Sequence, residues 1–171
     1  MRLKLYYLLI AVLGLVTFAG CNDDDENPAP RPNAPEAVLN AFNAKYPDAT
    51  DVKWETKGAY YVADFKTTAS LVEIDAWYKA DGTWAMTESD YGKDLFMVPT
   101  AINQAFNASQ YATWTIDDIS YYEYPDATKS FYLIEVEKVG QTDMQLYFKP
   151  DGTSIKNVAD NGVDITPDTV I

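Results

Sequence analysis

Two stretches of this 171-residue chain repeat one another, and this duplication constrains the fold more than any other feature. Residues 35–44 read Pro-Glu-Ala-Val-Leu-Asn-Ala-Phe-Asn-Ala, and residues 99–108 read Pro-Thr-Ala-Ile-Asn-Gln-Ala-Phe-Asn-Ala. Proline suits the start of a helix, because its φ is fixed and its missing N–H is not needed there. In each stretch an aliphatic residue and the phenylalanine lie four positions apart, on one helical face. The sequence therefore predicts two short amphipathic helices.

A second duplicated motif follows each predicted helix. Residues 77–83, Trp-Tyr-Lys-Ala-Asp-Gly-Thr, resemble residues 147–153, Tyr-Phe-Lys-Pro-Asp-Gly-Thr. Asp-Gly between two alternating segments indicates a hairpin turn, since glycine tolerates positive φ. The helix copies are 64 residues apart and these copies are 70 apart. We therefore expect an insertion in the second copy, around residues 109–115.

Alternating hydrophobic segments around these motifs predict four strands in each repeat. We expect repeat one, residues 36–92, and repeat two, residues 99–158, to form one folded unit, residues 36–158. The predicted fold class is α+β, with two tandem α-β-β-β-β repeats that share a continuous antiparallel sheet and place both helices on one face. The predicted strands are 51–57, 60–67, 71–79, 83–89, 115–124, 130–138, 143–149 and 153–158. Residues 159–171 are expected to form a C-terminal tail.

The N-terminus carries signals for export. Residues 1–20 have the positive start, the short apolar stretch and the small residues of a secretory signal peptide. Phe-Ala-Gly before Cys21 resembles the motif at which bacterial lipoproteins are cleaved and lipidated, with phenylalanine where leucine is usual. We therefore predict lipidation of Cys21 and attachment to the membrane through this lipid anchor only.

Residues 21–35 form the predicted tether, which is acidic at first and then rich in proline. The acidic run Asp-Asp-Asp-Glu after Cys21 resembles an export signal that sends some lipoproteins of Gram-negative bacteria to the outer face of the cell. We therefore expect a surface-exposed outer membrane lipoprotein, with the periplasmic leaflet as the alternative.

Composition argues against several classes of function. The chain has no histidine and one cysteine, so the usual ligands of zinc, copper and haem are missing. Ser-His-Asp and Cys-His catalysis are likewise impossible within the chain. Removal of residues 1–20 leaves 11 basic and 26 acidic residues, a net charge of −15. Because such a charge repels phosphate backbones, nucleic acid is not expected as a partner. We predict no catalytic residue, no metal and no cofactor.

Short motifs of the first repeat resemble a known family. They are Lys45-Tyr46-Pro47-Asp48-Ala49, Val52-Lys53-Trp54-Glu55, Tyr61-Val62-Ala63-Asp64-Phe65 and Asp81-Gly82-Thr83-Trp84. Together they are similar to the putative beta-lactamase-inhibitor-like, PepSY-like lipoproteins over residues 36–158, and the second repeat matches more loosely. The resemblance implies tandem repeats with helices on one face of an antiparallel sheet, and no catalytic residues come with it. The family's name reports a likeness to a secreted enzyme inhibitor and does not establish inhibition.

Strand alternation assigns the side chains to the two faces of the predicted sheet. The more apolar set is expected under the helices: Tyr61, Ala63, Phe65, Ile74, Ala76, Tyr78, Tyr132, Ile134, Val136, Met144, Leu146 and Phe148. We expect the opposite face to be open, because two short helices cover only one side. It combines aromatic, aliphatic and acidic residues: Tyr60, Val62, Asp64, Glu73, Asp75, Trp77, Phe131, Leu133, Glu135 and Tyr147.

Exposed aromatic residues on a rigid sheet are typical of protein-binding surfaces. We therefore predict a non-catalytic surface or envelope lipoprotein that binds a protein partner through this face and, in a narrower hypothesis, inhibits it. Two structural alternatives need no partner: aromatic cross-strand pairs can stabilise the sheet, or a terminal segment such as 159–171 can fold back over them. The functional alternatives are a periplasmic small-ligand or cation-binding sensor and a hydrolase that uses carboxylates alone, such as Glu73 with Asp75.

Overall fold

The computed structural model describes residues 33–68 and 70–169, without the side chains of Ser70 and Leu71. The predicted signal peptide, Cys21 and most of the tether lie outside the described residues. The described elements in chain order are α1 (Glu36–Lys45), β1 (Ala49–Lys57), β2 (Tyr60–Thr67), β3 (Ser70–Tyr78), β4 (Trp84–Asp90), α2 (Thr100–Asn107), β5 (Thr115–Glu123), a 3-10 helix (Ala127–Lys129), β6 (Phe131–Glu137), β7 (Met144–Phe148) and β8 (Ser154–Ala159). Each predicted strand bound lies within two residues of the observed one.

The strands of the described residues form one eight-stranded antiparallel sheet in the order β1 to β8. Strands β4 and β5 pair across the boundary between the repeats, with Thr87 opposite Glu123 and Asp90 opposite Ser120. The helix α2 lies between these two strands in the chain but does not interrupt their pairing. The predicted α+β class and the continuous sheet are confirmed.

Each helix packs on the strands of its own repeat. Val38 and Phe42 of α1 are buried against β2 and β3, and Ile102 and Phe106 of α2 are buried against β5, β6 and β7. All twelve residues predicted to lie under the helices belong to, or pack against, these two clusters. We call this side of the sheet the helix face, and its assignment from strand alternation is confirmed. Among the described residues, no helix combines the length and hydrophobicity needed to cross a membrane.

The two duplicated motifs meet in the structure. Gly82 and Gly152 of the Asp-Gly turns have φ of +85° and +87°, a conformation that glycine adopts without strain. A Cβ added to Gly82 would lie 2.6 Å from the carbonyl oxygen of Ala37, and one on Gly152 would lie 2.7 Å from that of Ala101. Each of these glycines is therefore required for two reasons: the turn needs a positive φ, and the nearby helix backbone leaves no room for a Cβ atom.

The insertion in repeat two lies in a different place from the one expected. In repeat one the paired residues Lys57 and Tyr60 are separated by two residues, whereas in repeat two the corresponding pair, Tyr122 and Phe131, is separated by eight. The difference of six equals the change in spacing between the duplicated motifs. Our placement of the insertion at residues 109–115 is wrong, because the β5–β6 hairpin with its 3-10 helix absorbs the extra length.

Candidate functional site: a covered aromatic face and an acidic row

The sheet face opposite the helices is a second core. Its predicted apolar members are at most 9% exposed, and the expectation that they form an open surface is wrong. These buried residues are Tyr60, Val62, Trp77, Phe131, Leu133 and Tyr147. They form one cluster with Met86, Tyr122, Tyr124 and Ile165, which we call the aromatic face.

The aromatic side chains cover one another from strand to strand. The rings of Tyr60 and Trp77 are 5.9 Å apart in an edge-to-face arrangement, and those of Tyr122 and Phe131 are stacked at 5.0 Å. Tyr147 lies 5.4 Å from Phe131 on the next strand. Aromatic pairs at these distances add to the free energy of burial. Large rings on neighbouring strands therefore bury apolar surface that two helices on the other side cannot reach.

The C-terminal segment, residues 160–169, completes the cover. Ile165 is 8% exposed and belongs to the aromatic cluster. Three residues later, Asp168 accepts a hydrogen bond of 2.9 Å from the Tyr60 hydroxyl, 108 positions away in the chain. The fold-back of a terminal segment, an alternative raised by the sequence, is thus what the structure contains.

Two buried polar groups of the aromatic face remain unused. Trp77 Nε1 and the Tyr124 hydroxyl have no hydrogen-bond partner among the described residues. A buried group of this kind costs free energy, because it gave up hydrogen bonds to water on folding. The aromatic face therefore carries two hydrogen-bonding groups that the described residues do not satisfy.

Beyond the aromatic residues, the same face carries a row of carboxylates on five successive strands, β2 to β6. Asp64 pairs with Asp75, Asp75 with Glu88, and, across the β4–β5 boundary, Asp118 with Glu135. We call these five residues the acidic row: Asp64, Asp75, Glu88, Asp118 and Glu135. The sequence analysis assigned three of them to this face and missed Glu88 and Asp118. The prediction assigned faces only on β2, β3, β6 and β7, whereas Glu88 lies on β4 and Asp118 on β5.

Neutral side chains connect the two halves of the acidic row. The Ser120 hydroxyl lies 3.1 Å from Glu88 Oε1 and 3.2 Å from Asp118 Oδ2, so it can donate to either carboxylate. The Tyr122 hydroxyl donates to Glu88 Oε1 at 2.8 Å. At the far end, Gln145 Nε2 donates to Glu135 Oε1 at 3.0 Å. These donors fix the carboxylates in place across the middle of the sheet.

Burial and like charges raise the proton affinity of two members of the row, Asp75 and Glu88. Burial is the main cause that raises the pKa of Glu88 to about 7, with the charges of Asp75 and Asp118 adding to it, against the hydrogen bonds of Tyr122 and Ser120. Burial likewise raises the pKa of Asp75, with Asp64 adding and Lys57 opposing. A positive group brought beside Asp75 and Glu88 would therefore stabilise their ionised forms.

The outer end of this region is accessible. The side chain of Asp64 is 46% exposed and that of Glu73, which continues the row along β3, is 67% exposed. Lys53 Nζ is 4.0 Å from Asp64, and Lys57 Nζ is 3.5 Å from Asp75 and 2.7 Å from Glu55. Exposed pairs of this kind contribute little and exchange readily. Of the predicted binding set, the acids thus remain reachable from solvent, whereas the aromatic residues do not.

In the part of the chain that the structure describes, no group of three or more histidine, cysteine, aspartate or glutamate side chains is arranged to hold a metal ion.

This architecture is similar to that of several solved structures from Bacteroides species. A BLIP-like protein of Bacteroides fragilis matches with a TM-score of 0.70 and 33% sequence identity, over 84% of this chain and 96% of its own. A domain of unknown function from Bacteroides uniformis matches with a TM-score of 0.66 and 30% identity, over 74% of this chain and 89% of its own. A protein of Bacteroides eggerthii, described as a putative periplasmic protein, matches with a TM-score of 0.65 and 29% identity, over 74% of this chain and 88% of its own.

The family follows from the sequence match. The model of the putative beta-lactamase-inhibitor-like, PepSY-like family matches residues 24–72 and 59–156, and the chain belongs to this family. The resemblance proposed from the motifs is therefore confirmed, and the two overlapping matches agree with a tandem repeat. No curated protein sequence matches the chain.

Proposed function

We propose that the protein is a non-enzymatic envelope protein that binds a basic partner protein through the acidic row. The observation that carries the proposal is the row itself: five carboxylates on successive strands, in which burial and neighbouring charges raise the pKa of Asp75 and Glu88. Carboxylates that are buried beside like charges are stabilised in their ionised form when a positive surface covers them. The net charge of the chain favours the approach of a basic partner in the same way.

The size of the acidic row favours a protein over a small cation. Four strand spacings of about 4.8 Å give the row a length of about 19 Å. A segment of a folded protein with several lysine or arginine side chains matches that length, whereas one small ion does not. The half-exposed edge at Asp64 and Glu73 provides the point of entry.

Location and inhibition belong to the same proposal. The Bacteroides eggerthii neighbour is described as a putative periplasmic protein, and the signal-like residues 1–20 with Cys21 agree with export. We extend this to lipidation at Cys21 and display on the outer membrane. The family description supports a binding role without catalysis, and inhibition of the bound partner is its narrower form.

Site-specific photocrosslinking in intact cells tests the proposal. A photoreactive residue at Asp64 or Glu73, the accessible acids, should crosslink one defined partner, whereas the same residue at exposed Asn107 of α2 should not. The captured partner is then purified. Its affinity for the Asp64→Asn/Asp75→Asn variant should fall by about tenfold, since close charge pairs in interfaces are worth about 1.5 kcal/mol or more.

A charge-matched control separates the site from the overall field. The Glu36→Gln/Asp48→Asn variant loses the same two charges from exposed positions outside the sheet face, and its affinity should stay within about twofold of the parent. Equal losses in the two variants would reduce the effect to nonspecific attraction. Identical crosslinking from Asn107 and from Asp64 would remove the acidic row as the binding site.

A further inference from the structure

We infer that the C-terminal segment, residues 160–169, is an exchangeable occupant of the aromatic face. The surface beneath it is then a binding site for a peptide that makes the same turn and carries the same two anchors: an aliphatic side chain and, three positions later, a carboxylate. This inference concerns the aromatic face and stands whether or not the acidic row binds a basic partner.

The segment is held by two anchors. Ile165 is buried among the aromatic side chains, and Asp168 accepts the hydrogen bond from Tyr60. Directly after Ile165 the chain forms a turn that contains Asp168, in which the Thr169 N–H donates to the carbonyl of Thr166 at 2.9 Å. Residues 161–164, which connect this region to β8, are exposed. A segment attached at two points through an exposed link can leave without disturbing the strands.

The hinge lies just after β8. Asp160 is tied to the sheet, since its N–H donates to the carbonyl of Asp143 at 2.8 Å. Its carboxylate accepts from the N–H of Gly162 at 2.7 Å, and Gly162 has a φ of +68°. The pairing of β8 with β7 ends at Ala159, so motion beyond Asp160 breaks no ladder hydrogen bond.

Repeat one supplies an internal comparison for this hinge. After β4, the Asp90 carboxylate accepts from the N–H of Gly92 at 2.6 Å, with φ +58°, in the same Asp-x-Gly arrangement 70 positions earlier. There, however, the chain continues to the helix face, where Leu95 and Val98 pack. The same Asp-x-Gly turn is thus followed by a segment on the helix face in repeat one and by a segment on the aromatic face in repeat two. The contacts of Ile165 and Asp168, and not the turn, keep the C-terminal segment on the aromatic face.

The segment also leaves the site incompletely satisfied. Trp77, 4% exposed, and Tyr124, 9% exposed, belong to the cluster that Ile165 joins, and their donors are the unused ones described above. The backbone of a partner peptide brings carbonyl groups that can accept such hydrogen bonds. A partner peptide can therefore use donors for which residues 160–169 provide no acceptor.

Cleavage of the folded protein tests exchange directly. A specific protease site is inserted between Asn161 and Gly162, in the exposed link, and is cut after folding. A fluorescent peptide of residues 160–171 is then added, and its polarisation is measured. The cut protein should bind it. The uncut protein should resist the same concentrations, because a tethered segment competes at an effective concentration of about 1 mM.

Two peptide variants locate the binding site. Ile165→Asp in the peptide should abolish binding, and Asp168→Asn should weaken it several-fold. The indole N–H resonance of Trp77 should shift when the segment is released and return when the peptide is added. Equal binding of the Ile165→Asp peptide would place binding elsewhere. Unfolding after cleavage, or failure of the peptide to exchange with the folded cut protein, would make the segment a fixed part of the core.

The uncut chain provides a second measurement that does not depend on cleavage. In the intact Ile165→Asp protein the segment should detach, so that the labelled wild-type peptide now binds at concentrations the parent resists. A folded Ile165→Asp protein with an unchanged Trp77 resonance and no peptide binding would overturn the inference.

Discussion

The helix face and the aromatic face are two cores on one sheet, built by different means. The helix face is covered by α1 and α2, which are part of the repeats themselves. The turns at Gly82 and Gly152 pack closely against these helices at Ala37 and Ala101. The aromatic face is covered by its own rings and by a ten-residue segment with two anchors. It also borders the acidic row, in which the pKa values of Asp75 and Glu88 are raised. Both faces are buried, so burial alone does not distinguish a structural core from a candidate binding site. The two faces differ in the element that covers them: helices on one, and a terminal segment on the other.

The largest expected effect tests whether the aromatic face is a true core. Phe131 is 0% exposed on the aromatic face, and Phe42 is 3% exposed on the helix face. Phe131→Ala and Phe42→Ala should each lower the free energy of unfolding by about 3–5 kcal/mol, because both leave a large cavity. Urea denaturation followed by circular dichroism measures the loss.

The exposed Phe96 gives the matched control for these two substitutions. It is 92% exposed, so Phe96→Ala should change the free energy of unfolding by less than about 0.5 kcal/mol. If Phe131→Ala resembled Phe96→Ala, the aromatic face would be open, as strand alternation alone had suggested.

The next effect concerns the acidic row and its pH dependence. The pKa of Glu88 is raised from 4.5 to about 7 by folding, so the folded protein binds the proton more tightly than the unfolded chain. The resulting stabilisation is fully present below about pH 4.5 and is lost as the pH rises through 7. Between pH 5 and pH 8 the free energy of unfolding should therefore fall, by up to about 3 kcal/mol.

Glu88→Gln isolates this contribution. The variant cannot titrate, so its stability should change much less between pH 5 and pH 8, as measured by urea denaturation at each pH. Asp75, whose pKa is also raised, leaves a smaller slope of the same sign. The exposed turn residues Asp81 and Asp151 have lowered pKa values and titrate below this window. An undiminished slope in Glu88→Gln would assign the effect to other groups.

The sequence predicted the fold well because the information was local and duplicated. Helix starts, Asp-Gly turns and strand alternation each depend on residues close together in the chain. They placed every strand within two residues and assigned the helix face correctly. The length of the β5–β6 hairpin was misplaced because the motif spacing gives the size of an insertion and not its position.

The candidate site was less predictable, because its cover is not local. Alternation put Trp77 and Phe131 on the face opposite the helices but carried no information on what lies over that face. The covering contact joins Tyr60 to Asp168, 108 positions apart. Apolar residues within the aspartate-rich terminal stretch, Ile165 among them, were the available signal. Glu88 was missed because no face was assigned for β4, and its hydrogen-bond partners Ser120 and Tyr122 lie across the boundary between the repeats.

The smallest expected effect concerns the two glycine turns that pack against α1 and α2 on the helix face. Gly82→Ala and Gly152→Ala place a Cβ against the carbonyl groups of Ala37 and Ala101, in addition to the strain of a positive φ. Gly140 has φ +78° with nothing within 4 Å of an added Cβ, so Gly140→Ala carries the strain without the clash. The first two variants should each lose about 2 kcal/mol, against about 1 kcal/mol for the control.

Hydrogen exchange then shows which face each glycine supports. Gly82→Ala should speed the exchange of amides in α1, and Gly152→Ala should speed that of amides in α2, because each pushes one helix away from its own repeat. The amides of β6 and the indole N–H resonance of Trp77 should change little, since the aromatic face does not depend on the helices for its cover. Exchange that rises equally on all strands would mean that the two faces open as one unit. In that case the C-terminal segment could not be released while the helix face stays closed.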